Sequence, residues 1–328
     1  MVNLDWQHRV VADEVSAGWQ KVLSQGDFIL EFARFSSVAH CVGVANGTDA
    51  LEIALRALEV GPGDEVIVPA NTFIATASAV VRAGADVVLA DVDPVTLLVD
   101  PAAVGAAVGP RTAALIPVHL YGQMAPMPAL EKVASRAGVP MVEDAAQSQG
   151  ASQAGRASGS IGAAAGTSFY PGKNLGAYGD AGAVLTGDAD VARRVRAIRD
   201  HGSSRKYEHD ERGFNSRLDT LQAVVLRAKL RHLAAWNDHR REAAQRYEAL
   251  LQAVPGVTTP GVGEGNEHVW HLYVVQVPDR DRVLAELQGK GIGAGIHYPK
   301  PVHLHGAFAS LGLGRGTFPV AEAAAGRI

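Results

Sequence analysis

Val66-Ile67-Val68-Pro69, Val87-Val88-Leu89-Ala90-Asp91-Val92, Ala113-Ala114-Leu115-Ile116-Pro117-Val118-His119 and Val139-Pro140-Met141-Val142-Glu143 are the stretches that decide the fold. Each is short, mostly apolar and bounded by turn formers, which reads as a buried strand. Helical patterns lie around and between them, at residues 49–58, 72–82, 101–108 and 127–137. Strands alternating with helices predict an α/β architecture built on a mainly parallel sheet. Residues 167–170 and 181–186 read as a hairpin-like pair. Residues 218–253 carry Leu and Ala at helical spacing with charges between them, predicting one long helix able to join two lobes. After it, residues 271–277 read as a strand and 280–290 as a helix. The expected division is a large domain with an N-terminal arm at 1–235 and a small C-terminal domain at 236–328.

The bulk numbers agree with that plan. The chain has 328 residues, 47% of them hydrophobic, enough for one large core and a smaller lobe. Its formal charge is -4 and it has no Lys/Arg run, so nucleic acid is not an expected partner. The lone cysteine, Cys41, excludes an internal disulfide, fits a reducing compartment and reads as a small buried hydrophobe within the apolar run 38–44. Met1-Val2-Asn3-Leu4-Asp5 begins polar and continues as an amphipathic helix, without the basic-then-apolar order of a signal peptide. No apolar run reaches the roughly 18 residues of a membrane span. The expectation is a soluble, cytoplasmic protein without a membrane partner.

Three tempting motifs fail on their spacing or company. Gly172-Lys173 resembles the end of a phosphate-binding P-loop, but Thr167 stands where that motif needs Gly and Asn174 where it needs Ser or Thr. Gly291-Ile292-Gly293-Ala294-Gly295 follows a helix instead of a strand, unlike a dinucleotide loop. His303-Leu304-His305 has no Cys, Asp or Glu cluster beside it, so no metal is expected.

Four other features point to one chemistry. Gly43-Val44-Ala45-Asn46-Gly47-Thr48-Asp49 leads into the first strong helix, whose free N–H groups and the Thr48 hydroxyl suit a phosphate; a simple helix cap is the alternative. Val142-Glu143-Asp144-Ala145-Ala146-Gln147 puts Asp144 at the carboxyl end of a strand, where open α/β sheets bind ligands, while Glu143 faces the other side. A buried Asp needs a cation or donor, and a protonated pyridine nitrogen serves; capping the next helix is the alternative. Thr167-Ser168-Phe169-Tyr170-Pro171-Gly172-Lys173-Asn174 places one lysine in an otherwise uncharged run. Desolvation there lowers an amine's pKa and makes it a nucleophile toward an aldehyde, against the plainer reading of a solvated surface lysine. In Asn71-Thr72-Phe73, the aromatic ring can cover a flat cofactor or pack in the core.

Together these residues resemble the DegT/StrS family of pyridoxal-phosphate (PLP) dependent sugar aminotransferases over nearly the whole chain. The most specific pieces are Pro69-Ala70-Asn71-Thr72-Phe73, Pro117-Val118-His119-Leu120-Tyr121-Gly122, Glu143-Asp144-Ala145-Ala146-Gln147 and Ser168-Phe169-Tyr170-Pro171-Gly172-Lys173-Asn174-Leu175-Gly176. Gly213-Phe214-Asn215-Ser216-Arg217-Leu218-Asp219 follows, then Gly291-Ile292-Gly293 with Ile296-His297-Tyr298-Pro299. The resemblance implies an aspartate-aminotransferase-like α/β fold. It implies that Lys173 holds PLP as a Schiff base, that Asp144 pairs with the pyridine nitrogen and that Gln147 sits near the ring hydroxyl. It assigns Gly47, Thr48 and Ser168 to the phosphate and Phe73 to the ring face. It further implies a homodimer with shared sites, in which Asn215 reaches the partner's phosphate; capping its own helix is the alternative. Tyr170, Lys206, His297 and Tyr298 are the candidates for a polar sugar pocket.

The activity so implied moves an amino group, with glutamate as donor, to a nucleotide-linked keto sugar in deoxyaminosugar biosynthesis, for an antibiotic or a polysaccharide. The run Lys173 to Asp180 most resembles members that aminate C-3 of a dTDP-3-keto-6-deoxyhexose, with UDP as the second nucleotide. Other readings are an aminotransferase on a cyclitol or other ring ketone, and a PLP- or sugar-binding regulator without turnover. A dehydratase on this fold has histidine in place of the lysine. Two departures from the family pattern concern its ends. Phe28-Ile29-Leu30 runs straight into Glu31-Phe32 where members have an extra loop, and Ile328 comes soon after Phe318-Pro319-Val320-Ala321, where members continue with a helix and strand.

Overall fold

The computed structural model describes residues 5–22 and 29–328. Met1 to Leu4 and Phe28 lie outside the described residues, so the reading of the extreme N-terminus and part of the Phe28–Phe32 junction are not addressed by it.

The chain opens with α1 (Asp5–Val22) and α2 (Leu30–Phe35), then β1 (His40–Val44) and α3 (Gly47–Ala57). The expected alternation follows as β2 (Glu65–Pro69), α4 (Ile74–Ala83), β3 (Asp86–Ala90), α5 (Pro101–Ala107), β4 (Thr112–Leu115), α6 (Met127–Ala137) and β5 (Val142–Asp144). Two short strands, β6 (Ser152–Gln153) and β7 (Arg156–Ala157), precede β8 (Ala164–Ser168) and β9 (Gly182–Thr186). The rest comprises α7 (Ala189–Ile198), the strands β10 (Ser203–Arg205) and β11 (Glu208–His209), the long α8 (Thr220–Leu251), the short β12 (Asn266–Glu267) paired with β6, α9 (Arg280–Gly289) and α10 (Pro319–Ala325), with short 3-10 turns between.

The helices start and stop for local reasons. Asn46, Asp100, Asp188 and Asp219 each accept a hydrogen bond from a first-turn N–H of α3, α5, α7 and α8. Gly84 and Gly138 end α4 and α6 in the left-handed conformation, which glycine adopts without a Cβ clash.

Strands pair as β3-β2-β4 and as β5-β8-β9-β1, and parallel bridges Leu115–Met141 and Val118–Asp144 join β4 to β5. The result is one sheet in the order β3-β2-β4-β5-β8-β9-β1. All its pairings are parallel except those of β9, which runs against both β8 and β1. Crossover helices cover the sheet, and Val66, Ile67 and Val68 are buried in succession on both faces. The main core gathers α3, α4 and α7 against one face, with Ile53, Leu55, Val80 and Val195 fully enclosed; α5 and α6 bring Val104 and Leu130 to a second cluster.

Two sequence expectations change. The hairpin-like pair is a true antiparallel ladder, Ala165–Leu185 to Ser168–Gly182, and β1 extends it from the apolar run around Cys41. The strand expected at 271–277 does not form. There the Val269 and Leu272 N–H groups bond the Gly122 and Tyr121 carbonyls, and among the described residues the only bridge is Gln276 to Thr258. Leu272, Gln276 and Val277 thus donate to three separate stretches, Tyr121, Thr258 and Arg327, and no single partner strand among the described residues runs beside them. The long helix matches at Thr220–Leu251, with α1 lying against it through the Trp6–Trp236 ring contact and the Trp19 Nε1–H donated to the Leu221 carbonyl at 3.0 Å. Among the described residues no helix is long and apolar enough to cross a membrane.

Candidate active site

Asp144 ends β5 at the carboxyl edge of the sheet and is buried. Its Oδ2 accepts the Thr76 hydroxyl at 2.7 Å and its Oδ1 the Ala146 N–H at 3.2 Å. Burial raises the carboxyl's pKa, opposed by these two donors and by the positive charge of Lys173. The Ala146 contact is the turn bond foreseen for a helix-capping Asp, but no regular helix follows and the second oxygen serves Thr76. Glu143 does face the other way. It is fully buried and accepts from His119 Nε2 (2.8 Å) and from the N–H groups of Gly159, Ile161 and Gly162 (2.9, 2.7 and 2.7 Å). Burial alone would raise its pKa, but these donors lower it overall. Neighbouring carboxylates thus meet opposite fates because the pleat sends one into a ring of donors and the other toward the site.

Lys173 sits in the loop after β8, with its N–H on the Tyr170 carbonyl (2.8 Å). Desolvation lowers its amine to about 8, tempered by the negative charge of Asp144. Lys173 is half-buried, which does not match a fully solvated surface lysine. An amine so placed carries a larger unprotonated fraction near neutrality than an ordinary lysine.

The phosphate candidates converge from separate elements. Gly47 opens α3, and a Cβ there would lie 2.6 Å from the Ser168 Cβ, so only glycine lets the helix start and the end of β8 approach this closely. The cap on this helix is Asn46, whose Oδ1 takes the Asp49 N–H, leaving the first N–H groups at Gly47 and Thr48 for an anion. Gly182 permits the same crowding from β9, since a Cβ would meet the Asn46 carbonyl at 2.4 Å.

Phe73 is 51% exposed just before α4, so it is not a core residue, and its ring lies 5.5 Å from that of Tyr298. Gln147 is buried, accepting the Tyr121 N–H at 2.7 Å and donating to the Tyr298 hydroxyl at 3.0 Å. Tyr121 in turn donates its hydroxyl to the His297 carbonyl at 2.6 Å. This chain of bonds brings the His297–Tyr298 segment onto the strand-end loops. Burial, opposed by Gln147, pushes the Tyr298 phenol to about 12, so it stays protonated; burial and the charge of Lys173 lower the His297 imidazole.

Three sequence candidates are not gathered here within one chain. Tyr170 is exposed at the rim. Lys206 lies between β10 and β11 with its ammonium 5.1 Å from the Tyr207 ring, and no hydrogen bond or ion pair among the described residues ties it to Lys173. Asn215 is exposed and bridges Asp200, and Asp219 caps α8, so Asn215 does not cap that helix. Its neighbour Ser216 is fully buried between Asp49 Oδ2 (2.7 Å) and the Ala45 N–H (3.1 Å), which fixes Asn215 next to the loop before Gly47. Sequence reasoning missed Thr76, the donor to Asp144, although Thr72 and Thr76 at helical i,i+4 spacing are a readable signal. His303 and His305 are taken up by Glu322 (3.1 Å) and the Lys300 carbonyl (3.2 Å).

A half-buried lysine, a buried carboxylate at the sheet edge, a glycine-crowded helix start and an exposed aromatic ring fit one class, a PLP-dependent aminotransferase. The chain belongs to the DegT/DnrJ/EryC1/StrS aminotransferase family, whose model matches residues 12–328. It is 52% identical to the erythromycin biosynthesis sensory transduction protein EryC1 of Saccharopolyspora erythraea, over 92% of this chain and 82% of that one. It is 45% identical to the dTDP-3-amino-3,4,6-trideoxy-alpha-D-glucose transaminase of Streptomyces venezuelae, over 96% and 86%. The crystal structure of S. venezuelae DesV in complex with a ketimine intermediate superposes with a TM-score of 0.96 at 44% identity, covering 99% of this chain and 90% of that one. The residues fit PLP: Asp144 is a desolvated carboxylate for a ring nitrogen, Lys173 a desolvated amine for an aldehyde, and the Gly47–Ser168 approach a cradle that a Cβ would fill.

Proposed function

We propose that this protein transfers the amino group of glutamate to a nucleotide-linked keto sugar, placing it at C-3 of a dTDP-3-keto-6-deoxyhexose. The observation that carries the reading is the buried Asp144 held by Thr76 at the sheet edge, together with the close approach of the Gly47 helix start to Ser168 that supports an anion site. The bound cofactor supplies the electron sink for amino-group chemistry. Lys173 would anchor the cofactor, and its amine, once free, would serve as the acid/base group of the site. Asp144 keeps the ring nitrogen protonated, and Thr76 orients Asp144. Gly47, Thr48 and Ser168 hold the phosphate, Phe73 covers the ring, and Gln147 stands by the ring hydroxyl. His297 and Tyr298 line the sugar pocket, with Tyr170 at its rim. Residues 1–235 form the cofactor-binding domain and 236–328 the smaller one, and the active unit is a homodimer in which Asn215 reaches the partner's phosphate. The dTDP assignment is supported by the substrate named for the S. venezuelae transaminase.

The test incubates holoenzyme and glutamate with dTDP- and UDP-linked 3-keto sugars, and assigns the product by NMR. An amine at C-3 of the dTDP sugar is expected. An amine at C-4, or turnover only of a free ring ketone, overturns the substrate; no turnover of any ketone, with PLP bound, favours the regulator. Asp144→Ala keeps the fold and loses most transamination, and near wild-type turnover refutes its role.

A further inference from the structure

The loop that carries Lys173 is closed at its base. The Phe169 N–H bonds the Ala181 carbonyl at 2.8 Å, and the Ala177 N–H bonds the Phe169 carbonyl at 2.7 Å. Within the loop a Cβ on Gly176 would run into the Pro171 carbonyl, so these two residues press together on either side of the Lys173 turn. Three side chains of α8 reach this loop. Gln222 Oε1 accepts the Tyr178 N–H at 2.8 Å, the Lys229 ammonium donates to the Gly176 carbonyl at 2.8 Å, and Asn237 Oδ1 accepts from Asn174 Nδ2 at 2.9 Å. Positions 222, 229 and 237 recur about every two turns, so one face of the helix presents all three. Lys229 is the unusual member. It is fully buried, and its neighbours one turn away, Leu226 and Leu233, belong to an apolar cluster. Among the described residues no carboxylate pairs with it. Its other contact is the face of Tyr178, 5.0 Å from the ammonium, a ring packed in turn against His8 and Trp19 of α1. An ammonium out of water, facing one carbonyl and one ring, costs stability that an apolar side chain would not. Packing does not account for it, whereas the bond to Gly176 does.

We infer that α8 is the element that sets the place of Lys173, and that Lys229 is its main positioning residue, holding the Gly176 carbonyl so that the turn with Lys173 is fixed against the helix. Gln222 and Asn237 secure the loop on either side of that point, at Tyr178 and Asn174. Asn237 is itself tied to the Gln149 carbonyl at 3.0 Å, beyond the Asp144 strand, so the same helix face registers the lysine loop on the segment that follows Asp144. The inference rests on reading Lys173 as the cofactor lysine.

The test has one arm without cofactor and one with it. Lys229→Met keeps the apolar stem of the side chain and removes the ammonium. In the cofactor-free variant, hydrogen exchange followed by NMR is expected to speed about tenfold at the Lys173 and Ala177 N–H groups, the loss of one hydrogen bond, and to stay unchanged at Val184 in the sheet. With PLP added, borohydride trapping on Lys173 is expected about tenfold slower. The wild-type rate in either measurement overturns the inference. So does faster exchange at Val184 as well, because Lys229 then serves general stability and not the loop. If Lys229→Met does not fold, Gln222→Leu decides: it removes the Tyr178 bond from the same helix face, and trapping at the wild-type rate refutes α8 as the positioning element. Peptide mapping that finds the label on another lysine overturns the reading of Lys173 itself, while exchange in the cofactor-free protein still reports whether Lys229 holds the loop.

Discussion

Gly47→Ala separates the anion site from general stability. The new Cβ would lie 2.6 Å from Ser168 Cβ and 3.2 Å from both its Cα and Oγ. Carbon atoms at rest sit about 3.5–4.0 Å apart, so the start of α3 and the end of β8 must separate by roughly 1 Å. Overpacking of this kind costs about 1–3 kcal/mol. Replacing glycine by alanine in a helix returns about 0.5–1 kcal/mol, because the unfolded chain loses freedom. The net loss of stability is then at most about 2.5 kcal/mol, whereas the displacement falls on the groups proposed to hold the phosphate. Cofactor affinity should drop about 10- to 100-fold, or about 1.4–2.8 kcal/mol. Isothermal titration of cofactor-free protein with PLP measures the affinity, and denaturant unfolding measures the stability. Gly105→Ala, in α5, is the control: its new Cβ would meet no atom within 4 Å, and affinity should stay unchanged. Gly47→Ala binding PLP as tightly as wild type would refute the cradle.

Glu143→Gln places an NH2 against buried donors and should lower stability by about 2–4 kcal/mol in thermal unfolding, whatever the cofactor. Because the folded Glu143 carboxyl is held below its ordinary 4.5, its contribution is present above that pH and lost as pH falls through the folded value; an acid-unfolding curve unchanged by Glu143→Gln would contradict this. Lys229, fully buried on α8 with its ammonium 2.8 Å from the Gly176 carbonyl, is lowered from 10.5 to about 8 by burial, as Lys173 is. The fold disfavours the charged form, so the stability of cofactor-free protein should fall as pH drops from about 10.5 to 8, and Lys229→Met should remove about half of that slope; an unaltered slope in urea titrations argues that the ammonium is solvated. Mixing inactive Lys173→Ala and Asn215→Ala proteins under subunit exchange should restore part of the activity, since one hybrid site carries both lesions and the other none. No recovery, or a fully active monomer in sedimentation, rules out shared sites.

Much of this protein is written locally. The runs at 66–69 and 87–92 are strands wherever they are buried, because β-branched side chains fit a pleat covered on both faces. Asp144 and Glu143 had to part company, since successive strand residues point apart. Lys173 stood out because no other charge shares its run, and Gly47-Thr48 because a helix start follows. Tertiary structure decided the rest. Residues 271–277 have the composition of a strand, yet the N–H groups of Leu272, Gln276 and Val277 go to three separate places, the Tyr121, Thr258 and Arg327 carbonyls, far away in sequence. Asn215 has the chemistry of a cap, but Asp219 lies closer to the helix and takes that place. Asn174 meets Asn237 and His271 across 63 and 97 residues of chain, and no local pattern encodes such pairs. A hydrogen bond between side chains depends on where both backbones arrive, and only the packed sheet with α8 across it sets that; propensity and periodicity act over a few residues and end there.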